Sequence, residues 1–469
     1  MPWPESLAPV RMERIALLAP TDTLRDVLVR VAQAGVVQFD DIAPRDDVAV
    51  SEAAQHLQRL AATDTPPVLS TAAPDLDALE QAGRADLLAG EAQLQERAAA
   101  AVDRDGVAAL TGWCPASQLD ALAAGLGSTA AAVVPLPRPP GVDPPTLLGG
   151  NDRLGRTFAP LVSTYGTVPY RDIDPTIPAG IAYMVMFGMM FGDAGHGLLL
   201  IAIALLLRSG RIRRFARLRQ VWLFVAGAGL AATAFGALYG EFFGPTGVLP
   251  VLWLAPLQQP LRLLAVAVAV GAVLLALSYA IGIVNRWREG GARLALYAPT
   301  GIAGATLFLG AAVAVAGFMV PMTLLVIIGA VTALAGLALA TVGLFAESGG
   351  GPTGAAQTGV GAFDLLVRLG SNLVSFARLA AFGMTHAALG WVVWQATVAR
   401  SGLGALATVA AVVVFVVGNA ITFALEALVA GVQALRLEFY ELFSRVFVGE
   451  GKPFHPWRIE TYTPEGASC

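Results

Sequence analysis

Lysine is nearly missing from this chain of 469 residues: lysine and arginine together number 30, and Lys452 is the only lysine. We read that bias, with the high alanine and glycine content, as coding preference and not as chemistry. It still excludes a GxxxxGK[ST] phosphate loop, because the one lysine stands in Glu450-Gly-Lys-Pro453. Cysteine is scarce too. Cys114 and Cys469 leave no room for a disulfide framework or a cysteine-built metal site. Charged residues make up only 14%, little over half the share of an ordinary globular chain. The formal net charge of −4 gives no basic footprint for nucleic acid. With 56% hydrophobic residues, most of the chain cannot be disordered.

The apolar residues are unevenly placed. Residues 1–150 read as soluble protein, 151–176 as a linker, 177–457 as a polytopic membrane domain and 458–469 as a tail. No secretory leader is expected before the soluble part, since Arg11, Glu13 and Arg14 interrupt any apolar run, and that part is expected to stay in the cytoplasm. Apolar blocks run over 177–207, 220–240, 262–284, 298–319, 321–346, 365–399 and 403–440, each near or above the ~20 residues that cross a bilayer. Pro321 separates two of them. The arginine-rich segments 208–219 and 285–289 are expected to be cytoplasmic loops, and the Lys- and Arg-free loop 241–261 to face the other side. That parity requires the first block to enter and return. At 1.5 Å per residue it is about 46 Å long, too short for two full spans. Two short or tilted helices meeting at Phe191-Gly-Asp-Ala-Gly-His-Gly197 are expected, giving about eight membrane helices, the last two long and tilted.

The soluble part is expected to be α/β. Arg14–Ala19 and Val36–Ile42 flank an amphipathic stretch, as do Ala108–Trp113 and Ala130–Pro135. Two small lobes with a short helical arm, clearest at Leu76–Ala101, are the expected arrangement.

Ionisable groups at membrane depth are costly and mark function by default. Between Leu369 and Leu435 the only charged side chains are Arg378, Arg400 and Glu426. Arg400 beside Ser401-Gly402 reads as an interfacial anchor. Treating the last two blocks as a hairpin turning near residue 402 places Arg378 level with Glu426, and His386 level with Gly418 beside Asn419. The Arg378–Glu426 pair reads either as a helix-locking ion pair or as a fixed cation beside an ion path. Asp193 and His196 read first as helix cap and packing groups.

Several spaced motifs resemble the membrane subunit called a in eukaryotic vacuolar ATPases and I in bacterial and archaeal V/A-type rotary ATPases. They are Phe187–Gly197, which contains Gly192, Asp193, Gly195, His196 and Gly197; Leu238-Tyr-Gly-Glu-Phe-Phe-Gly244; Ser375–His386; Ala434-Leu-Arg-Leu-Glu438; and Phe447–Phe454. Pro144-Pro-Thr146, Tyr165-Gly166, Pro169-Tyr170 and Asp174-Pro-Thr176 resemble the lead-in. The resemblance implies a stator subunit, not itself catalytic, that moves H⁺ or Na⁺ through two half-channels past a rotating proteolipid (c/K) ring. Arg378 matches the essential arginine facing that ring, Glu426 and His386 the non-cytoplasmic half-channel, and Asp364 an acid of the cytoplasmic one. Arg436 matches a supporting arginine, and Ser371 offers a hydroxyl to the cytoplasmic path. Peripheral-stalk E/G subunits, a central-stalk d/C subunit and the lipid bilayer are the implied partners. No cofactor, metal or nucleic acid is expected, and a bacterial plasma membrane with both termini cytoplasmic is the implied location. Two features depart from the family: Arg368 lies four residues after Asp364, and the cytoplasmic domain and arm are short. A stand-alone secondary transporter and a non-conducting scaffold are the alternatives.

Overall fold

A computed structural model describes residues 8–40, 51–60, 65–149, 153–211, 219, 221–400, 405–447, 449 and 451–462. The chain divides into two compact units, Leu148–Glu450 and a second made of Val10–Leu147 with Gly451–Cys469.

The second unit opens with β1 (Met12–Pro20), α1 (Leu24–Ala34) and β2 (Gln38–Phe39). Next come α2 (Glu52–Arg59), β3 (Val68–Ser70), α3 (Leu76–Gln81), α4 (Ala85–Ala99) and β4 (Val102–Arg104). It continues with β5 (Val107–Pro115), α5 (Leu119–Leu126) and β6 (Ala132–Leu136), and it closes with β7 (Glu460–Tyr462). The two expected lobes are one sheet. β1 pairs antiparallel with both β5 and β6, giving the order β2-β5-β1-β6 of a split βαβ arrangement. Gly112 makes this possible, since a Cβ there would stand 2.5 Å from the Gln38 carbonyl oxygen on β2. Leu24, Val27, Leu28, Val31 and Ala32 form the buried stripe of α1, and Gly35 at φ +59° ends it. Trp457 and Ile459 join the same core, and β7 runs parallel to β3.

The expected arm is not one continuous helix. Gly83, at φ +65°, breaks it, and α4 lies against α1, α2 and β3, burying Leu87, Leu88 and Leu94. Gly90 permits that approach, since a Cβ there would meet the Val68 carbonyl oxygen at 2.0 Å. The sequence periodicity gave a helix but not the face on which it folds back.

The membrane unit contains α6 (Arg153–Tyr165), α7 (Thr176–Met190), α8 (Ala194–Ser209), α9 (Trp222–Tyr239), α10 (Pro260–Tyr297) and α11 (Ile302–Met319). It continues with α12 (Thr323–Glu347), α13 (Gly351–Ser375), α14 (Ala377–Val398), α15 (Ala405–Leu437), a π-helical turn (Glu438–Phe443) and α16 (Ser444–Val446). Among the described residues, six spans are long and apolar enough to cross a membrane, with α13 and α14 counted as one; α7 and α8 are shorter apolar helices. Most of the 208–219 loop, and residues 401–404, where the last hairpin is expected to turn, lie outside the described residues. The second arginine-rich segment is not a loop. Asn285–Glu289 is inside α10, whose break comes at Gly290 and Gly291, and Arg286 is buried against Glu289 at 2.6 Å.

Lipid tails supply no hydrophobic drive between helices, so close backbone contact must hold them. In the α8–α9 seam, added Cβ atoms on Gly197 and Gly236 would meet the Thr233 and Ala194 nitrogens at 2.5 and 2.1 Å. In the α11–α12 seam, Gly310, Gly329 and Gly336 would each clash with backbone nitrogen of the facing helix at 2.3–2.4 Å.

Candidate functional site

Two groups of polar side chains lie in the membrane unit. The first surrounds the turn between α7 and α8. Asp193, fully buried, is the N-cap of α8 and accepts from the His196 backbone N–H at 2.9 Å. Its carboxylate also accepts from the backbone N–H groups of Phe243 (2.9 Å) and Gly244 (2.7 Å), which fastens the loop after α9 to the start of α8. Glycine is required around it. A Cβ on Gly192, Gly195 or Gly197 would stand 2.4–2.6 Å from Tyr239, Phe243 or Thr233.

His386, on α14, reaches the same region. Its Nδ1 is in close contact with the Glu426 carboxylate of α15. Its ring lies 5.5 Å from that of His196 and 4.8 Å from that of Phe191. Asn419 and Glu241 are buried nearby, and Glu241 is within electrostatic reach of His386, Asp193 and Glu426. Several polar atoms here have no hydrogen-bond partner, among them both ring nitrogens of His196, Asn419 Oδ1, Glu241 Oε2 and Glu426 Oε1.

The second group lies around Arg378. The expected Arg378–Glu426 level is wrong: Glu426 lies against His386, and Arg378 faces Glu441 at 3.9 Å. The true register is displaced by about two helical turns or more from the symmetric hairpin. Symmetry assumed that both helices start level at the turn, whereas the packing of Gly418 against Val393 agrees with the displaced register.

Arg378 also stands just past a local break inside the long span Gly351–Val398. Regular α-helix stops at Phe376, whose ring enters a notch at Gly271 of α10, where a Cβ would stand 2.2 Å away. Leu379 N–H then donates to Phe376 O at 3.0 Å, a tightened turn, and Arg378 follows as the second residue of α14. Opposite it, Glu441 belongs to the π-helical turn that ends α15. Both partners thus stand where regular helix is interrupted, a feature common at functional sites.

Arg378, Glu441, Arg436, Ser371, Ser375 and Tyr440 line an open cleft of about 660 Å³. The Arg378 side chain is 25% exposed, neither sealed in nor flush with the outer surface, and one of its terminal nitrogens (Nη1) is buried without a partner. Arg436 and Ser371 are exposed at its rim. Asp364 lies on α13, exposed, and accepts from Arg368 Nε at 2.6 Å, so the unusual extra cation is matched by the nearer acid.

Sequence reasoning passed over Glu441 and Glu241. The charge survey ended at Leu435, just short of Glu438 and Glu441, although an acid following an apolar span was the available signal. Glu241 was quoted within a motif without a role, although no other Asp, Glu, Lys or Arg occurs in residues 241–261.

Residues 99–246 match the model of the V-type ATPase 116kDa subunit family. The chain is 30% identical over 371 residues to "A-type ATP synthase subunit I" of Aeropyrum pernix, covering 69% of this chain and 52% of that protein. It is 29% identical over 331 residues to the protein of the same name from Pyrococcus horikoshii, covering 66% and 46%. With "V-type ATP synthase subunit I 2" of Treponema pallidum it shares 37% identity over 146 residues, 29% of this chain and 32% of that one. The chain spans about half the length of the first two relatives.

Proposed function

The chain belongs to the V-type ATPase 116kDa subunit family, and on that footing we propose that it is the membrane stator of an ion-translocating rotary ATPase. Arg378 is the fixed cation that ring carboxylates pass. A guanidinium keeps its charge at any cellular pH. It favours the ionised form of each acid that comes opposite, so the carried proton leaves. It also blocks ions from crossing directly between two offset paths. His386 and Glu426 belong to the non-cytoplasmic path, Asp364 and Ser371 to the cytoplasmic one, and Arg436 supports Arg378.

The observation that carries this reading is the exposure of Arg378 in an open cleft with its acid partner 3.9 Å away, beyond direct hydrogen-bond distance. A helix-locking pair would instead be closed and tight. H⁺ is the favoured ion, since imidazole and carboxylate suit proton relay. ATP chemistry belongs to other subunits, as do the ring and the E/G and d/C stalk contacts.

The parity of the membrane crossings is also supported. Val10–Leu147 and the chain from Gly451 onward build one unit, including the β3–β7 pair. The intervening chain therefore leaves and returns on the same side, which requires an even number of crossings. Six long spans with α7 and α8 make eight.

The test is purification in mild detergent. A co-purifying proteolipid ring is expected; a ring-free monomer that transports ions in liposomes would replace this reading with that of a secondary transporter.

A further inference from the structure

We propose that Asp193, His196 and His386 form a transition-metal site of the Zn²⁺ class inside the membrane unit. One ligand atom from each lies within 4.8 Å of the other two, and the three residues are 0%, 1% and 3% exposed. His196 supplies the independent observation. Its ring is buried, and neither nitrogen meets a partner in hydrogen-bond geometry, the groups at hand being Asp193 Oδ1, 3.8 Å from Nδ1, and Asn419, an expensive state for a buried imidazole that a bound cation relieves.

The donor set selects the metal. Two imidazoles and one carboxylate suit Zn²⁺ and its neighbours, whereas Mg²⁺ and Ca²⁺ prefer all-oxygen sites. The surroundings agree. Glu426 against Nδ1 of His386 orients that ring, the carboxylate–histidine support that metal sites use. Glu241 lies within electrostatic reach of His386, Asp193 and Glu426, and Phe191, Phe243 and Phe423 wall His196 at ring distances of 5.3–5.7 Å. Zinc holds nitrogen and oxygen ligands at about 2.0–2.2 Å, so binding draws the two rings together. Occupation also removes His386 from proton exchange with Glu426; that consequence rests on the function proposed above, but the site does not.

The test counts metal and is independent of pumping. The complex containing the full chain is stripped with chelator, reloaded with ZnCl₂, desalted and analysed for zinc. A His56→Gln background removes a second candidate group on the α/β unit, His56 with Asp77 and Glu80. One zinc per copy is expected beyond that retained by His196→Phe, which preserves the aromatic packing. Co²⁺ in its place gives visible bands of low-coordinate cobalt that the variant lacks. Glu426→Gln weakens zinc affinity about 10–100-fold. Equal zinc in the parent and His196→Phe overturns the proposal. Should His196→Phe fail to assemble, the parent alone decides. Zn²⁺ but not Mg²⁺ then raises its thermal midpoint, and an unchanged midpoint equally rejects the site.

Discussion

Glu426 is held against His386, and Arg378 is left to face Glu441 across an open cleft. The division separates the fixed cation from the acid that the symmetric hairpin would have given it. It makes His386 and Glu426 a unit and leaves the arginine available to a charge from outside the chain.

Replacing Arg378 by Ala or by Lys is expected to abolish ATP-driven acidification of vesicles while the complex still assembles. Lysine keeps a charge but not the planar fork, and its ammonium deprotonates more readily when desolvated. Unimpaired acidification by Arg378→Ala would sink the mechanism.

Glu426→Gln should slow pumping without ending it, as loss of one member of a hydrated relay does. Its effect on stability should also depend on His386. A double-mutant cycle between the two should show non-additivity of about 0.5–3 kcal/mol. Strict additivity would mean that the contact between them does not exist in the folded protein.

Asp193→Ala removes the acceptor for three backbone N–H groups at once. An N-cap alone is worth about 0.5–2 kcal/mol, and hydrogen bonds to a charged acceptor add more. The variant should lose at least about 2 kcal/mol, read as an earlier thermal midpoint in detergent. Asp193→Asn, also a good cap, should lose less; equal losses would refute the capping account.

Asp172 lies in the loop before α7, fully buried beside Glu289. Burial first, then Glu289 beside it, pushes its carboxyl up to about 7, against the opposing pull of Arg286 and Arg288. A folded carboxyl raised above its unfolded value contributes stability that is present below about pH 4 and lost as pH rises through 7. Asp172→Asn should flatten this part of the profile and gain stability above pH 7. Parallel profiles for the two proteins would rule the group out.

Cys114 is buried in the α/β unit, and desolvation pushes its thiol up to about 11. Maleimide should label it only after denaturation, because both access and thiolate are lacking. Raised from 9.0, the thiol contributes stability below pH 9 that disappears as pH rises through 11. Cys114→Ser should lack that alkaline step.

The apolar blocks and the polar turn at Phe191–Asp193 were legible because membrane helices declare themselves by length and composition. So was the helix break at Pro321, with α11 ending at Met319 and α12 starting at Thr323. The two-lobe reading failed because strand sequences do not carry their pairing: β1 is bounded by its own βαβ signals yet bonds to β5 and β6. The break at Phe376 was invisible for a related reason, since its cause is a missing Cβ on Gly271, about a hundred residues earlier. Residue types around the site could be named from sequence. Which acid met which base depended on a register that only packing sets.

The glycine seams of α8–α9 and α11–α12 have a mechanical consequence. Where two backbones touch, no long side chains lie between them to shear or change rotamer. Sideways load then passes from peptide group to peptide group, and the wall behaves as a brace, so a neighbour turning against it would meet resistance with little give.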